Sequence, residues 1–266
     1  MKKIKLLINY ILLFSLSMLA CNNNEDEKTD NGNSDSNNLE QYNNIDFEKQ
    51  AYNMPSELVY YKKGTAILYD KLYPIGWSKN GLFAYIIEPA DEGSGLYWFE
   101  IVIFDIVNNK VVWSWKPAES EIGNITQTWK ENYELFRKNL SESEIIQLKA
   151  FVLKSGKTSY KGNDYEVILD SKNEADPDFG FDVIKEVQIH FVSPELGEKK
   201  IYNQKNEDYS LILGAYIPGY LLSPFDDRVV VIYQKERVGY EGPPNVVFFD
   251  LIGTDLIRGF KKEKDS

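Results

Sequence analysis

The chain holds one cysteine, Cys21, and one histidine, His190, in 266 residues. No disulfide can form within it. A structural zinc site needs four Cys or His ligands, so none can be built from this pair. The pattern Gly-x-Ser-x-Gly is missing, which removes the main sequence support for a Ser-His-Asp hydrolase. Basic residues are also scarce: 30 Lys and Arg stand against 41 Asp and Glu, a net charge of −11. That balance excludes nucleic acid and anionic lipid head groups as expected partners, since both demand basic patches. One long apolar run exists, Leu6–Leu19, and it falls short of the about 20 residues a membrane-spanning helix needs. No cofactor motif is read, and none is expected.

What is present begins with that run. Lys2, Lys3 and Lys5 precede it, and Ala20 and Cys21 close it. A charged start, an apolar middle and a small residue before a cut read as an export signal over residues 1–20. The stretch Met18-Leu19-Ala20-Cys21 resembles a bacterial lipobox, with Met18 where leucine is usual. The resemblance implies that Cys21 is lipidated and becomes the mature N-terminus. Such acyl chains gain about 0.8 kcal/mol per buried methylene, enough together for durable anchoring. Loss of the three signal lysines leaves 27 basic and 41 acidic residues, a charge of −14. Residues 21–52 are rich in Asn, Asp, Glu and Ser, too polar to offset ordering entropy, and read as a disordered leash. Glu25-Asp26-Glu27 is similar to surface-export signals of some Gram-negative lipoproteins, or is simply a solvated charge run. Asn22 is not the Asp that marks inner-membrane retention. The expected location is therefore the outer membrane, with the lipid as the membrane contact.

The remaining about 200 residues, 53–260, read as one mainly β domain with antiparallel sheets. Leu58–Tyr61 and Thr65–Tyr69 suggest a hairpin. Ile75–Ser78 and Leu82–Ile87 flank Lys79-Asn80-Gly81, and Asn-Gly between apolar runs is a strong hairpin signal. Strands follow at Trp98–Ile106 and Lys110–Trp115. The period then changes. Trp129, Tyr133 and Phe136 form a helical stripe over Thr126–Asn139. Ser141-Glu142-Ser143-Glu144 fits a capping box before Ile145–Val152, which predicts a helical hairpin at about 126–155. Strands resume at Tyr165–Leu169, Val183–Val192, Lys199–Tyr202, Tyr209–Tyr216, Gly219–Leu222, Arg228–Tyr233, Val246–Leu251 and Leu256–Phe260. Residues 261–266 are a polar tail.

The end of the domain echoes its start at an offset of 145. Ser78 and Ser223 each open a turn before an apolar strand. Asp105 follows Ile103-Phe104, and Asp250 follows Phe248-Phe249. An Asp at a strand end suits bonding to turn amides. Ser223-Pro224-Phe225-Asp226-Asp227-Arg228 and Trp77-Ser78-Lys79-Asn80-Gly81 resemble blades of periplasmic β-propellers of the Ser-Pro-Asp-Gly type. The resemblance spans about 80 residues and implies blade-like sheets but no catalytic residue. Residues 164–202 read as a degenerate third blade. The expectation is an incomplete propeller-like array with an inserted helical hairpin. A compact α+β domain with one curved sheet stays open beside it.

Candidate chemistry is sparse. His190 alternates with Gln188 on a polar strand face, and an exposed or rim position is expected. Asp176, Asp178 and Asp182 surround Gly180 and form a candidate calcium loop, since calcium takes six to eight oxygens. The Gly sits one place early for an EF-hand, and no closing Glu follows. Trp113 and Trp115 share a face, so Trp113 is a candidate ring for ligand stacking and Trp115 a core residue. Asp226-Asp227 reads as a hairpin turn. The rigid loop Tyr240–Pro244 suits a partner surface. The expected function is a lipid-anchored, non-enzymatic module binding a protein or glycan partner. A carbohydrate hydrolase with a carboxylate pair and a calcium-dependent adhesion module are the alternatives.

Overall fold

The computed structural model describes residues 67–93, 99–118, 125–148, 151–206, 211–240 and 242–262. The export signal, Cys21, the leash and residues 58–66 of the first expected hairpin lie outside them. The protein is mainly β, as expected, with fourteen strands and two short helices among the described residues.

Three sheets form. The first has the order β5-β4-β3-β2-β6, built from β2 (Lys71–Trp77), β3 (Leu82–Glu88), β4 (Glu100–Asp105), β5 (Lys110–Trp115) and β6 (Ile146–Gln147). The second, β1-β14-β13-β12-β7, joins β1 (Ile67–Tyr69), β7 (Leu153–Lys154), β12 (Ile212–Leu222), β13 (Arg228–Arg237) and β14 (Asn245–Asp255). The third, β11-β10-β9-β8, contains β8 (Thr158–Tyr160), β9 (Asn163–Ala175), β10 (Asp182–Ser193) and β11 (Gly197–Lys205).

The second sheet is the middle layer, and the run Val229–Tyr233 explains why. Successive side chains of a strand point to opposite faces. Val230 and Ile232 pack with Trp77, Phe83 and Phe104 of the first sheet. Val229, Val231 and Tyr233 pack with Val187, Ile189 and Phe191 of the third. A strand covered on both faces carries an unbroken apolar run rather than an alternating one. Every member of that run is at most 1% exposed. The other face of the first sheet is covered by α1 (Ile125–Glu131) and α2 (Tyr133–Glu142). Trp129, Phe136 and Leu140 lie against Ile75, Ile86 and Ile101, so the helical stripe read from the sequence is the packed face.

The second expected helix does not form. Glu144 has φ +55°. The Ile145 amide donates to Leu140 O (2.9 Å) and the Glu144 amide to Ser141 O (3.0 Å). This is the Schellman pattern that ends a helix, with Ile145 and Leu140 joining the same apolar cluster. The capping-box reading of Ser141–Glu144 is thus corrected: the segment closes α2 instead of opening a helix. Ile146 and Gln147 then pair with Trp77 and Gly76. A Cβ at Gly76 would lie 2.1 Å from Ile146 O, so only glycine admits this edge strand. Gly219 plays the same part beside β7, where a Cβ would lie 2.2 Å from Lys154 O.

The echo is structural, but its register is corrected. The Ser78 amide donates to Leu82 O (2.9 Å), and the Ser223 amide to Arg228 O (2.9 Å). Ser78 Oγ also accepts the amides of Asn80 (3.2 Å) and Leu82 (3.0 Å). Leu82 is paired with Asp105, however, and Arg228 with Asp255. Asp255, not Asp250, is therefore the counterpart of Asp105. Asp105 Oδ1 accepts the amides of Val107 (2.9 Å) and Asn108 (3.0 Å). Asp255 Oδ1 accepts those of Ile257 (2.7 Å) and Arg258 (2.8 Å). Asp250 lies mid-strand opposite Tyr233 and binds Lys235 Nζ at 2.5 Å. The turn at Asp255 also overturns the expected strand Leu256–Phe260. The expected strands Tyr209–Tyr216, of which Tyr209 and Ser210 lie outside the described residues, and Gly219–Leu222 are represented by the single strand β12 (Ile212–Leu222), whose ladder is bulged between Tyr216 and Gly219. The expected tail begins later than Lys261, which exchanges two backbone hydrogen bonds with Glu198 (2.8 and 2.9 Å).

Candidate functional site

The turn joining β8 to β9 is Lys161-Gly162, with φ +48° and +79°. Positive φ at both central residues marks the two-residue turn that matches strand twist. It sets Ser159 opposite Asp164 and Thr158 opposite Tyr165. Beyond this hairpin, the end of β10 and the turn at Pro194 complete an open cleft of about 550 Å³. Its walls include Lys157, Ser159, Asp164, Glu166, Val192 and Pro194.

Each carboxylate here has a partner. Ser159 Oγ donates to Asp164 Oδ1 (2.5 Å), and Lys157 Nζ stands 3.5 Å from Glu166. Beside the cleft, Glu195 Oε2 accepts the Asp164 amide and the Ser193 hydroxyl, both at 3.0 Å. The Asp164 amide, the amide of Glu195 itself and that hydroxyl hold the Glu195 carboxyl below the usual range. Hydroxyls, an ammonium and carboxylates thus meet an apolar strip at Val192 and Pro194. Such a surface can match a ligand rich in hydrogen-bonding groups.

A raised acid exists elsewhere. Burial pushes Asp70 up to about 6, against the downward pull of the amides of Ala90 and Phe249 and the charge of Arg237. Its Oδ1 accepts the Ala90 amide at 2.9 Å. Asp70 follows β1 on the outer edge of the middle sheet, and it spends its oxygens on backbone. A general acid is a raised carboxyl facing substrate. Asp70 meets only the first half of that description.

The calcium loop is not assembled. Asp176 is buried, and its Oδ1 accepts the amides of Asp178 (3.0 Å) and Phe179 (3.2 Å). It is a turn cap at the tip of β9–β10. Asp178 and Asp182 are exposed around it. Among the described residues, no group of three or more His, Cys, Asp or Glu could hold a metal ion.

His190 is buried rather than on a rim, at 9% exposure. Its Nδ1 meets the Glu198 carboxylate, and Nε2 lies 3.9 Å from Asp170. Trp113 and Trp115 pair with Ile103 and Ile101, and both are half-buried against the helix-side cluster. Trp115 meets Phe136 edge-on at 4.9 Å, the core role expected of it. Asp226 and Asp227 do make the β12–β13 turn: Asp226 binds Arg228 at 2.5 Å, and Asp227 accepts Tyr160 Oη (2.9 Å) and pairs with Lys161 (2.6 Å). Tyr240 is 87% exposed, and its amide donates to Glu92 Oε2 (3.0 Å). No sequence motif marks the cleft; Lys161-Gly162 is its one local signal, a tight turn between the short β8 and the long β9.

Compared with protein-family models, with curated proteins and with solved structures, the chain shows no significant match.

Proposed function

We propose that this chain is a lipid-anchored protein of the bacterial envelope that binds a protein or glycan partner without transforming it. The supporting observation is the open cleft between the β8–β9 hairpin and the Pro194 turn. Its polar groups are arranged as donors and acceptors, and its carboxylates are tied to a hydroxyl and an ammonium. Binding needs such preset groups; hydrolysis by a carboxylate pair needs one acid raised and one base facing the scissile bond. The sequence adds the means of delivery, a lipobox-like Met18–Cys21 and a polar leash.

The test uses the full chain, titrated with envelope polysaccharide fragments and with solubilised envelope proteins. A saturable ligand whose affinity falls at least tenfold in Ser159→Ala/Glu166→Ala supports the reading. Saturable binding that ignores these substitutions, or turnover of a bound glycan, refutes it. Mass spectrometry of the native N-terminus tests the anchor: an unacylated Cys21 would sink it.

A further inference from the structure

The distal half of the β9–β10 hairpin carries a second surface. Residues 170–175 of β9 are exposed along their whole length, while Val183 and Ile184 opposite them on β10 are buried, so at this end the hairpin turns its β9 edge outward. At its tip, Phe179 is 60% and Phe181 36% exposed. The two rings stack at 5.6 Å with 27° between planes. Exposed phenyl rings at a strand tip lose hydrophobic free energy unless something covers them.

The tip is held rigid. Besides the two amides on Asp176 Oδ1, the Asp176 amide donates to Phe181 O and the Gly180 amide to Asp176 O, both at 2.9 Å. A preset pair of rings binds with little loss of side-chain and loop entropy. Acidic groups border the pair: Asp178 and Asp182 are exposed, as is Glu174, which pairs with Lys172 at 2.6 Å. No Lys or Arg occurs from 173 to 184.

We infer that this tip is a docking surface for another protein, one presenting an apolar socket with a Lys- or Arg-lined rim. The rings fill the socket, and Asp178 and Asp182 face the basic border. Charge complementarity selects a protein over a bilayer here. A tip entering lipid would drag two carboxylates toward the hydrocarbon, where each is costly, and an anionic leaflet would repel them. The surface belongs to the β9–β10 tip, whereas the cleft belongs to β8 and the far end of β10.

A photoreactive benzophenone analogue of phenylalanine at position 179, in the full chain expressed in the producing cell, tests this. Irradiation should give one discrete protein adduct. Its yield should fall at least tenfold in Phe181→Ser and in Asp178→Lys/Asp182→Lys, and stay unchanged in Ser159→Ala/Glu166→Ala. Far-ultraviolet circular dichroism confirms that each variant is folded before it is scored. Absence of a protein adduct, adducts to lipid or to a second copy of this chain, or indifference to the charge reversal would each overturn the inference.

Discussion

The middle sheet has an outer edge that is sealed piece by piece, and one seal is a single side chain. Beyond β1, which pairs in parallel with Asn245–Val247, β14 has no strand neighbour on that side among the described residues. Asn109, in the β4–β5 turn, stands in for one. Its Nδ2 donates to Gly253 O (3.1 Å), and its Oδ1 accepts the Gly253 amide (2.5 Å). Its backbone has φ +50°, which asparagine tolerates better than most residues. Asn109→Gly keeps the backbone at ease and deletes both bonds. Each bond is worth about 0.5–1.5 kcal/mol net, so a loss of about 1–3 kcal/mol is expected. Asn109→Ala loses the same bonds and adds about 1 kcal/mol for a Cβ in the left-handed region. Asn109→Asp keeps the acceptor but turns an oxygen on the Gly253 carbonyl, and should resemble the alanine variant. Urea unfolding followed by fluorescence of buried Trp77 and Trp129 reads these differences. The midpoint should shift without a change in slope. An Asn109→Gly protein within about 0.5 kcal/mol of the parent would show that Gly253 needs no seal, and the account of the edge would fail.

Asp70 predicts a pH dependence. Its folded value of about 6 lies above the ordinary carboxyl value of about 4 that the unfolded chain has, so the folded chain holds the proton more tightly between those values. Its contribution to stability is full below pH 4 and is lost as pH rises through 6, by about 3 kcal/mol. Asp70→Asn should flatten the stability profile by that amount between pH 4 and 7; an unchanged slope in urea melts refutes the assignment. Gly76→Ala and Gly219→Ala each press a methyl onto a carbonyl oxygen and should cost about 1–3 kcal/mol. Limited proteolysis should then cut between Ser143 and Lys157, where β6 and β7 are displaced; parental resistance in both variants counts against the close-approach argument.

Local chemistry was legible where it acts over a few residues. Asn80-Gly81 located the β2–β3 turn, Trp129/Tyr133/Phe136 the packed helix face, and the run at Val229–Tyr233 a strand. The capping box failed because the same four residues can end a helix as well as start one. What decided between them was tertiary: Gly76 leaves room for Ile146 at the edge of a sheet. The echo is legible in the sequence but its register is not, since Phe-Asp occurs at both 104–105 and 249–250. The pair Asp105-Ile106-Val107 and Asp255-Leu256-Ile257 carries the true match. Its support is a buried aliphatic whose amide reaches the preceding turn, Ile106 to Gly81 O (3.0 Å) and Leu256 to Asp227 O (2.8 Å). Pairing across strands, not spacing along the chain, reveals it. The cleft and the phenyl-tipped hairpin were illegible for a related reason: each depends on how far β9 and β10 run past their neighbours.

The order of the layers differs from the order of synthesis. The two outer sheets are complete by Lys205, while the one between them awaits β12–β14 and also draws on Ile67–Tyr69. Until Asp255 has emerged, the apolar sides of both flanking layers have nothing to close upon. A newly made chain therefore keeps the inward faces of both outer sheets uncovered, and open to association with like chains, until residues 212–255 have been added.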